Sequence, residues 1–142
     1  MTLGSIRYQI RIRRPAATVW ALAGDATRLH EWFPGITACT VDGNLRTITL
    51  GSGLQMPEEI IVHDDVQRRF QYKITAPLFA FHRGGIDVID LGDETCLVVY
   101  STDADPRAMA LTIGGGTAGA LDELRRQMED DDQASDDQEG AR

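Results

Sequence analysis

The sequence predicts a single α+β domain in which a curved antiparallel sheet of about six or seven strands wraps around one long C-terminal helix. Three observations support this fold class. Segments with alternating apolar and polar residues recur along the chain and are joined by turn residues. Two short helical segments follow the first strand. After Pro106 the spacing of apolar residues changes to a helical period.

The first strand and the two short helices occupy the beginning of the chain. Apolar residues alternate with basic and polar residues over 6–12, the period of a strand with one buried face. Pro15 then fixes φ for the first turn of a short helix, which Gly24 ends. A second short helix, "ATRLHEWF", is stopped by the Pro-Gly pair that follows it.

Six further strands are predicted as three hairpin pairs. Their segments are "ITACTV" with "LRTITL", "EEIIVHDD" with "RRFQYKIT", and "FAFHRGGIDVIDL" with "TCLVVYSTD". Asp42, Gly43 and Asn44 join the first pair, and glycine and asparagine tolerate the positive φ of such a turn. The final helix spans Pro106 to about Glu129 and must bury an apolar stripe formed by Met109, Ile113, Gly116, Ala120, Leu124 and Met128.

Length and charge distribution divide the chain into two parts. A chain of 142 residues fits one domain, and we assign the folded domain to residues 1–129. The net charge is −8, but seven acids and one base lie from Glu129 onward, so the domain itself is nearly neutral. Residues 130–142 are acidic and poor in apolar residues, and this composition predicts a disordered tail.

The same composition argues against several classes of function. No basic stripe is present of the kind that nucleic-acid binding requires, and no apolar run is long enough for membrane insertion. The N-terminus lacks the pattern of a signal peptide, so we expect a cytoplasmic protein. Cys39 and Cys96 lie in strand-like segments without a second Cys or His at metal-ligand spacing. We therefore predict no metal and no cofactor, and the sequence does not indicate an oligomeric state.

Gly114, Gly116 and Gly119 match the G-x-G-x-x-G spacing of dinucleotide-binding loops. That motif requires a strand directly before the glycines, whereas the preceding residues already have a helical pattern. We therefore interpret the small residues as leaving room beneath the helix. On this interpretation, leucine at Gly115 or Gly116 should shrink an internal pocket without changing nucleotide binding.

The order of these segments resembles the helix-grip superfamily. The resemblance covers about residues 5–129 and is carried by "RRPAATVWALAGD", "LHEWFPGI", "RTITLGSG", "DDVQRRFQYKI" and "TCLVVYSTD". The superfamily, often called SRPBCC, includes START lipid-transfer domains, plant pathogenesis-related allergens and polyketide cyclase/dehydrase-like proteins. The resemblance implies a cavity between the sheet and the C-terminal helix that holds apolar molecules. It does not imply a particular reaction.

Strand parity identifies the side chains that should face this cavity. The inward faces of the first, fifth and last strands carry tyrosines, and the face that contains Ile60 and Val62 also brings Glu58 inward, where similar proteins tend to have a glutamate. The second short helix carries Trp32 and covers the cavity entrance in similar proteins. The predicted cavity residues are Tyr8, Trp32, Glu58, Tyr72, His82, Ile86, Val98, Tyr100, Ile113, Gly116 and Ala120.

The leading hypothesis for function is binding of an apolar small molecule, lipid-like or polyketide-like, in that cavity. One alternative is a cofactor-independent polyketide aromatase/cyclase-type enzyme, in which Glu58, His82 or a tyrosine polarises a carbonyl and Glu58 and His82 are the candidate catalytic acid and base. A second alternative is a protein whose cavity has closed and which acts through its surface.

Overall fold

The elements follow one another in the predicted order. The structure is a computed structural model that describes the backbone of residues 2–140 and the side chains of residues 2–130. Its elements are β1 (Gly4–Ile12), α1 (Ala16–Ala23), a 3₁₀ helix (Ala26–Glu31), β2 (Ile36–Asp42), β3 (Leu45–Leu50), β4 (Gln55–Asp64), β5 (Arg69–Ile74), β6 (Phe81–Asp90), β7 (Cys96–Asp105) and α2 (Arg107–Gly140).

The seven strands form one antiparallel sheet in the order β1-β7-β6-β5-β4-β3-β2. Apart from the step that brings β1 beside β7, each strand pairs with its neighbour in sequence, as hairpin connections require. Gly43 has a φ of +61° in the turn between β2 and β3. These features confirm the predicted α+β class and the helix-grip arrangement, in which the curved sheet holds α2.

The core lies between the sheet and one face of α2. The helix packs against β1 and β7 at one side of the sheet. Ala120, Leu121 and Leu124 are almost fully buried there, in the same hydrophobic cluster as Val98 and Tyr100 of β7. This stretch of α2 is thus a packing element, as its apolar stripe predicts.

Two details differ from the sequence-based expectations. The second short helix is a 3₁₀ helix of six residues, and the Asp25 side chain accepts a hydrogen bond from the Thr27 amide at its start. Helix α2 extends to Gly140, beyond the end expected at about Glu129, and the domain bounds of residues 1–129 stay a prediction. The disorder expected for residues 130–142 stays a prediction, because residues 141–142 and the side chains from 131 onward lie outside the described residues.

The glycines of α2 have different surroundings. A Cβ atom at Gly114 would lie 2.8 Å from Ile6 Cγ2, so this glycine lets β1 approach the helix. A Cβ at Gly116 would lie 3.3 Å from Phe33 Cζ, whereas Gly115 and Gly119 have nothing within 4 Å. The expectation that leucine at Gly115 would shrink a pocket is therefore wrong, because Gly115 faces open space.

Two features are absent from the described residues. Among them, no helix combines the length and apolar character that crossing a bilayer requires. Within the same residues, no three side chains from His, Cys, Asp and Glu come together in a way that could hold a metal ion.

Candidate ligand-binding cleft

An apolar cleft lies between the first turns of α2 and the inward face of the sheet, where β2 to β5 and β7 contribute to its lining. Its volume is about 420 Å³. Met109, Thr112, Ile113 and Gly116 form the helical side. The rest of the lining comes from the 3₁₀ helix, the strands and the connecting loops: Leu29, Phe33, Pro34, Gly35, Ile36, Ile48, Leu50, Leu54, Met56, Glu58, Tyr72, Ile74, Leu78, Phe79 and Tyr100.

A buried ion pair supports the inner end of the cleft. Arg46 of β3 lies directly opposite Glu58 of β4 in the sheet register, and both side chains are 2% exposed. The Arg46 Nε atom donates to Glu58 Oε1 at 2.7 Å, and Nη1 donates to the carbonyl oxygen of Ala26 at 3.3 Å. Glu58 lines the cleft, whereas Arg46 lies behind it.

In both Glu58 and Arg46, burial and the charge of the partner shift the pKa in opposite directions. Burial raises the pKa of Glu58, and the nearby Arg46 charge limits the rise. Burial is the strongest single influence on Arg46 and acts to lower its pKa, but the Glu58 carboxylate, Tyr72 and Tyr100 together outweigh it, so the pKa of the guanidinium lies above its ordinary value. Arg46 therefore stays protonated. Its guanidinium carbon lies 5.0 Å from the ring centroids of both Phe70 and Tyr72, which adds a cation–π contact.

Two tyrosines present their hydroxyl groups beside this ion pair. The hydroxyl oxygens of Tyr72 and Tyr100 are 2.9 Å apart, and both residues are buried and line the cleft. Burial raises the pKa of Tyr100 to about 12 and the pKa of Tyr72 well above its ordinary value. Both phenols are therefore neutral hydrogen-bond donors at physiological pH.

His82 lies outside the lining of the cleft. Its ring is 5.2 Å from the ring of Phe79, which does line the cleft, and 5.6 Å from the ring of Tyr72. Its Nδ1 atom accepts a hydrogen bond from the Ile74 amide at 2.9 Å. Burial lowers the pKa of His82 to about 4, although Asp103 opposes the shift. This histidine is a neutral structural side chain here, which argues against its expected role as a base.

The structure brings five of the eleven predicted cavity residues together in the cleft. These are Glu58, Tyr72, Tyr100, Ile113 and Gly116. The other six lie elsewhere. Ile86, Val98 and Ala120 pack in the core, and Trp32 lies behind the wall with its ring 6.1 Å from that of Tyr100. His82 is covered as described above, and Tyr8 is 37% exposed.

The prediction that Tyr8 lines the cavity needs a correction, and the position of α2 explains why. Its side chain is on the face predicted by parity, because it pairs with Tyr100 across β1 and β7. However, β1 is an edge strand, and α2 packs directly on it where Gly114 faces Ile6 and Tyr8. The helix therefore separates Tyr8 from the cleft.

Arg46 was not among the site residues predicted from the sequence, although the alternation of its strand could have identified it. Ile48 and Leu50 alternate with threonines in "LRTITL", and their parity places Arg46 on the same inward face. A charged residue on an apolar face needs a partner of opposite charge. Glu58, the acid that strand parity also places inward, is that partner.

Gly84 leaves space for the Tyr72 phenol, and we expect alanine there to disturb the inner end of the cleft. A Cβ at Gly84 would lie 2.5 Å from Tyr72 Cζ, whereas a Cβ at Gly85 has its nearest contact at 3.5 Å. Gly84→Ala should lower the free energy of unfolding by about 1–3 kcal/mol. The matched control Gly85→Ala should cost less, and equal losses in chemical denaturation would contradict this role of Gly84.

The sheet that holds the C-terminal helix and the short helices after β1 together define a protein of the helix-grip class. The chain belongs to the polyketide cyclase/dehydrase and lipid transport family, whose model matches residues 4–129. This membership confirms the resemblance seen in the sequence motifs. No curated protein matches the sequence.

Several solved structures share the fold. The protein XoxI from Bacillus cereus has a TM-score of 0.83 at 21% identity, and the match covers 89% of this chain and 96% of that chain. A Thermobifida fusca protein has a TM-score of 0.72 at 28% identity, covering 89% and 95%. The Zhui aromatase/cyclase from Streptomyces sp. R1128 has a TM-score of 0.73 at 15% identity, covering 90% and 94%.

Proposed function

We propose that the protein binds an apolar small molecule, lipid-like or polyketide-like, in the cleft between the sheet and the first turns of α2. The observation that carries this proposal is the lining, which is almost wholly apolar and encloses about 420 Å³. Small-molecule sites are typically concave, apolar and furnished with a few polar groups. The description of the family supports the same function.

The rim of the cleft supports an entry route for such a ligand. Leu54, in the connection between β3 and β4, is 59% exposed, and Leu78, between β5 and β6, is 57% exposed. Both residues also line the cleft, so apolar surface continues from the outside to the inner end. A ligand could therefore enter between these two connections without opening the core.

A cyclase-type reaction is the second candidate, because Glu58, Tyr72 and Tyr100 place polar groups in the cleft. An aromatase/cyclase also occurs among the proteins of similar fold. Two features favour binding instead. Glu58 is held by Arg46, and His82 is engaged outside the cleft. An open cleft also argues against a closed-cavity interaction protein. A cytoplasmic location stays a prediction.

The proposal can be tested with two neighbouring glycines of α2. N-phenyl-1-naphthylamine, a neutral apolar dye, should bind saturably with one molecule per chain and become more fluorescent. Gly116→Leu should weaken this binding tenfold or more, because the new side chain enters the cleft beside Phe33. Gly115→Leu adds the same side chain to open space and should bind the dye as the native chain does.

Two outcomes would contradict the proposal. One is the absence of saturable dye binding by the native protein. The other is equal binding by both leucine variants, which would place the dye outside the cleft. Circular dichroism of both variants should show native helix content, so that a folding defect is not mistaken for a loss of binding.

A further inference from the structure

The inner end of the cleft has an unusual set of hydrogen-bonding groups. Among the lining residues, the buried polar side chains are Glu58, Tyr72 and Tyr100. Thr112 also lines the cleft, but it is exposed and its hydroxyl donates to the Ala108 carbonyl oxygen at 3.3 Å. The three buried side chains therefore determine which polar ligand groups can be satisfied deep in the cleft.

The two tyrosines leave one proton without an acceptor. Each phenol carries one O–H group, and a single hydrogen bond between their oxygens uses only one of the two protons. Within residues 2–130, neither hydroxyl has a second hydrogen-bond partner. The pair thus offers one spare donor, and a buried donor without a partner is costly unless a ligand satisfies it.

Glu58 provides the complementary acceptor, and it is the only carboxylate among the described residues that line the cleft. Its Oε1 atom accepts from Arg46, while no side chain or amide among the described residues donates to Oε2. The positive charge of Arg46 is behind Glu58 and is not part of the cleft surface. A ligand carboxylate at this end would therefore meet the negative charge of Glu58 before the cation that could neutralise it.

Building on the proposed binding function, we infer that the cleft selects a neutral ligand with a hydroxyl group on an apolar body and rejects carboxylates. A hydroxyl group can accept the spare tyrosine proton and donate its own proton to Glu58. An unsubstituted hydrocarbon would leave both protein groups unsatisfied. A fatty-acid carboxylate would have an acceptor for the tyrosines but no proton for Glu58.

Three probes test this selectivity: 4-octylphenol, octylbenzene and 4-octylbenzoate. They share the octyl chain and the benzene ring and differ only in the group opposite the chain. Each should be measured at pH 7.5 by displacement of N-phenyl-1-naphthylamine from the native chain. We expect 4-octylphenol to bind roughly tenfold more tightly than octylbenzene, the effect of one satisfied buried hydrogen-bonding site. We expect 4-octylbenzoate to bind more weakly than octylbenzene.

Two variants locate the selectivity. Tyr72→Phe/Tyr100→Phe should reduce the preference for 4-octylphenol over octylbenzene several-fold. Glu58→Gln should raise the affinity for 4-octylbenzoate tenfold or more, because the Arg46 charge is then no longer neutralised. If Glu58→Gln does not fold, the tyrosine variant and the order of the three probes on the native chain still decide the question.

The outcomes separate this inference from the function on which it rests. If octylbenzene does not displace the dye, the proposed apolar binding site itself is wrong. If all three probes displace the dye equally, or if 4-octylbenzoate binds best, the site stands but the selectivity for neutral hydroxyl ligands is overturned.

Discussion

Arg46→Met alone should lower the free energy of unfolding by about 3–5 kcal/mol, the usual effect of removing one partner of a buried ion pair. The substitution leaves the Glu58 carboxyl group buried beside the cleft without its 2.7 Å partner. It also removes the hydrogen bond to the Ala26 carbonyl oxygen, which links β3 to the 3₁₀ helix. Glu58→Met should lower the free energy of unfolding by a similar amount, because it leaves the Arg46 guanidinium buried without its carboxylate partner.

The double variant Arg46→Met/Glu58→Met is the matched control. Replacing a whole buried ion pair by apolar residues of similar volume is often neutral or stabilising. We therefore expect the double variant to lie within about 1 kcal/mol of the native chain, or above it, in urea denaturation. Additive losses in the double variant would show that the pair is not the source of the single-variant effects.

The free energy of unfolding of the native chain should decrease as the pH is lowered from 6.5 to 4 because of His82. The pKa of this residue is lowered from 6.5 to about 4 in the folded protein, chiefly by burial. Below pH 6.5 the unfolded chain binds a proton that the folded chain does not, so acid favours unfolding. Protonation would also place a hydrogen on Nδ1, where the Ile74 amide already donates.

The size of this effect follows from the shift in the His82 pKa. The loss should be about 1.4 kcal/mol per pH unit and about 3–4 kcal/mol in total. His82→Gln cannot gain a charge, so its free energy of unfolding should change less between pH 6.5 and pH 5 than that of the native chain. A variant with the native slope would assign the pH dependence to other groups.

Much of the fold could be predicted because side-chain alternation and turn residues constrain strands locally. Parity placed Tyr72 and Tyr100 on the inward face, and parity together with the family resemblance placed Glu58 there; the structure brings all three into the cleft. The helical spacing after Pro106 likewise indicated the buried stripe that includes Ala120 and Leu124. Apart from that resemblance, these inferences required only the period of each element.

Other parts of the site depend on distances between elements, which the period does not determine. Parity cannot tell that α2 lies on β1 and so separates Tyr8 from the cleft. It also cannot tell that the connection carrying Phe79 covers His82. The pairing of Arg46 with Glu58 depends on the register between β3 and β4, and the loop that joins these strands does not reveal the register by itself.

The separation of cleft-lining and core-packing residues along α2 has a consequence for how this protein can change. Met109, Thr112, Ile113 and Gly116 line the cleft, whereas Ala120, Leu121 and Leu124 lie in the core. Substitutions at the cleft-lining positions can therefore alter ligand preference while the core-packing positions maintain the fold. Met109, Thr112 and Ile113 are natural positions for a combinatorial library, since new specificities could arise there without a matching loss of foldability.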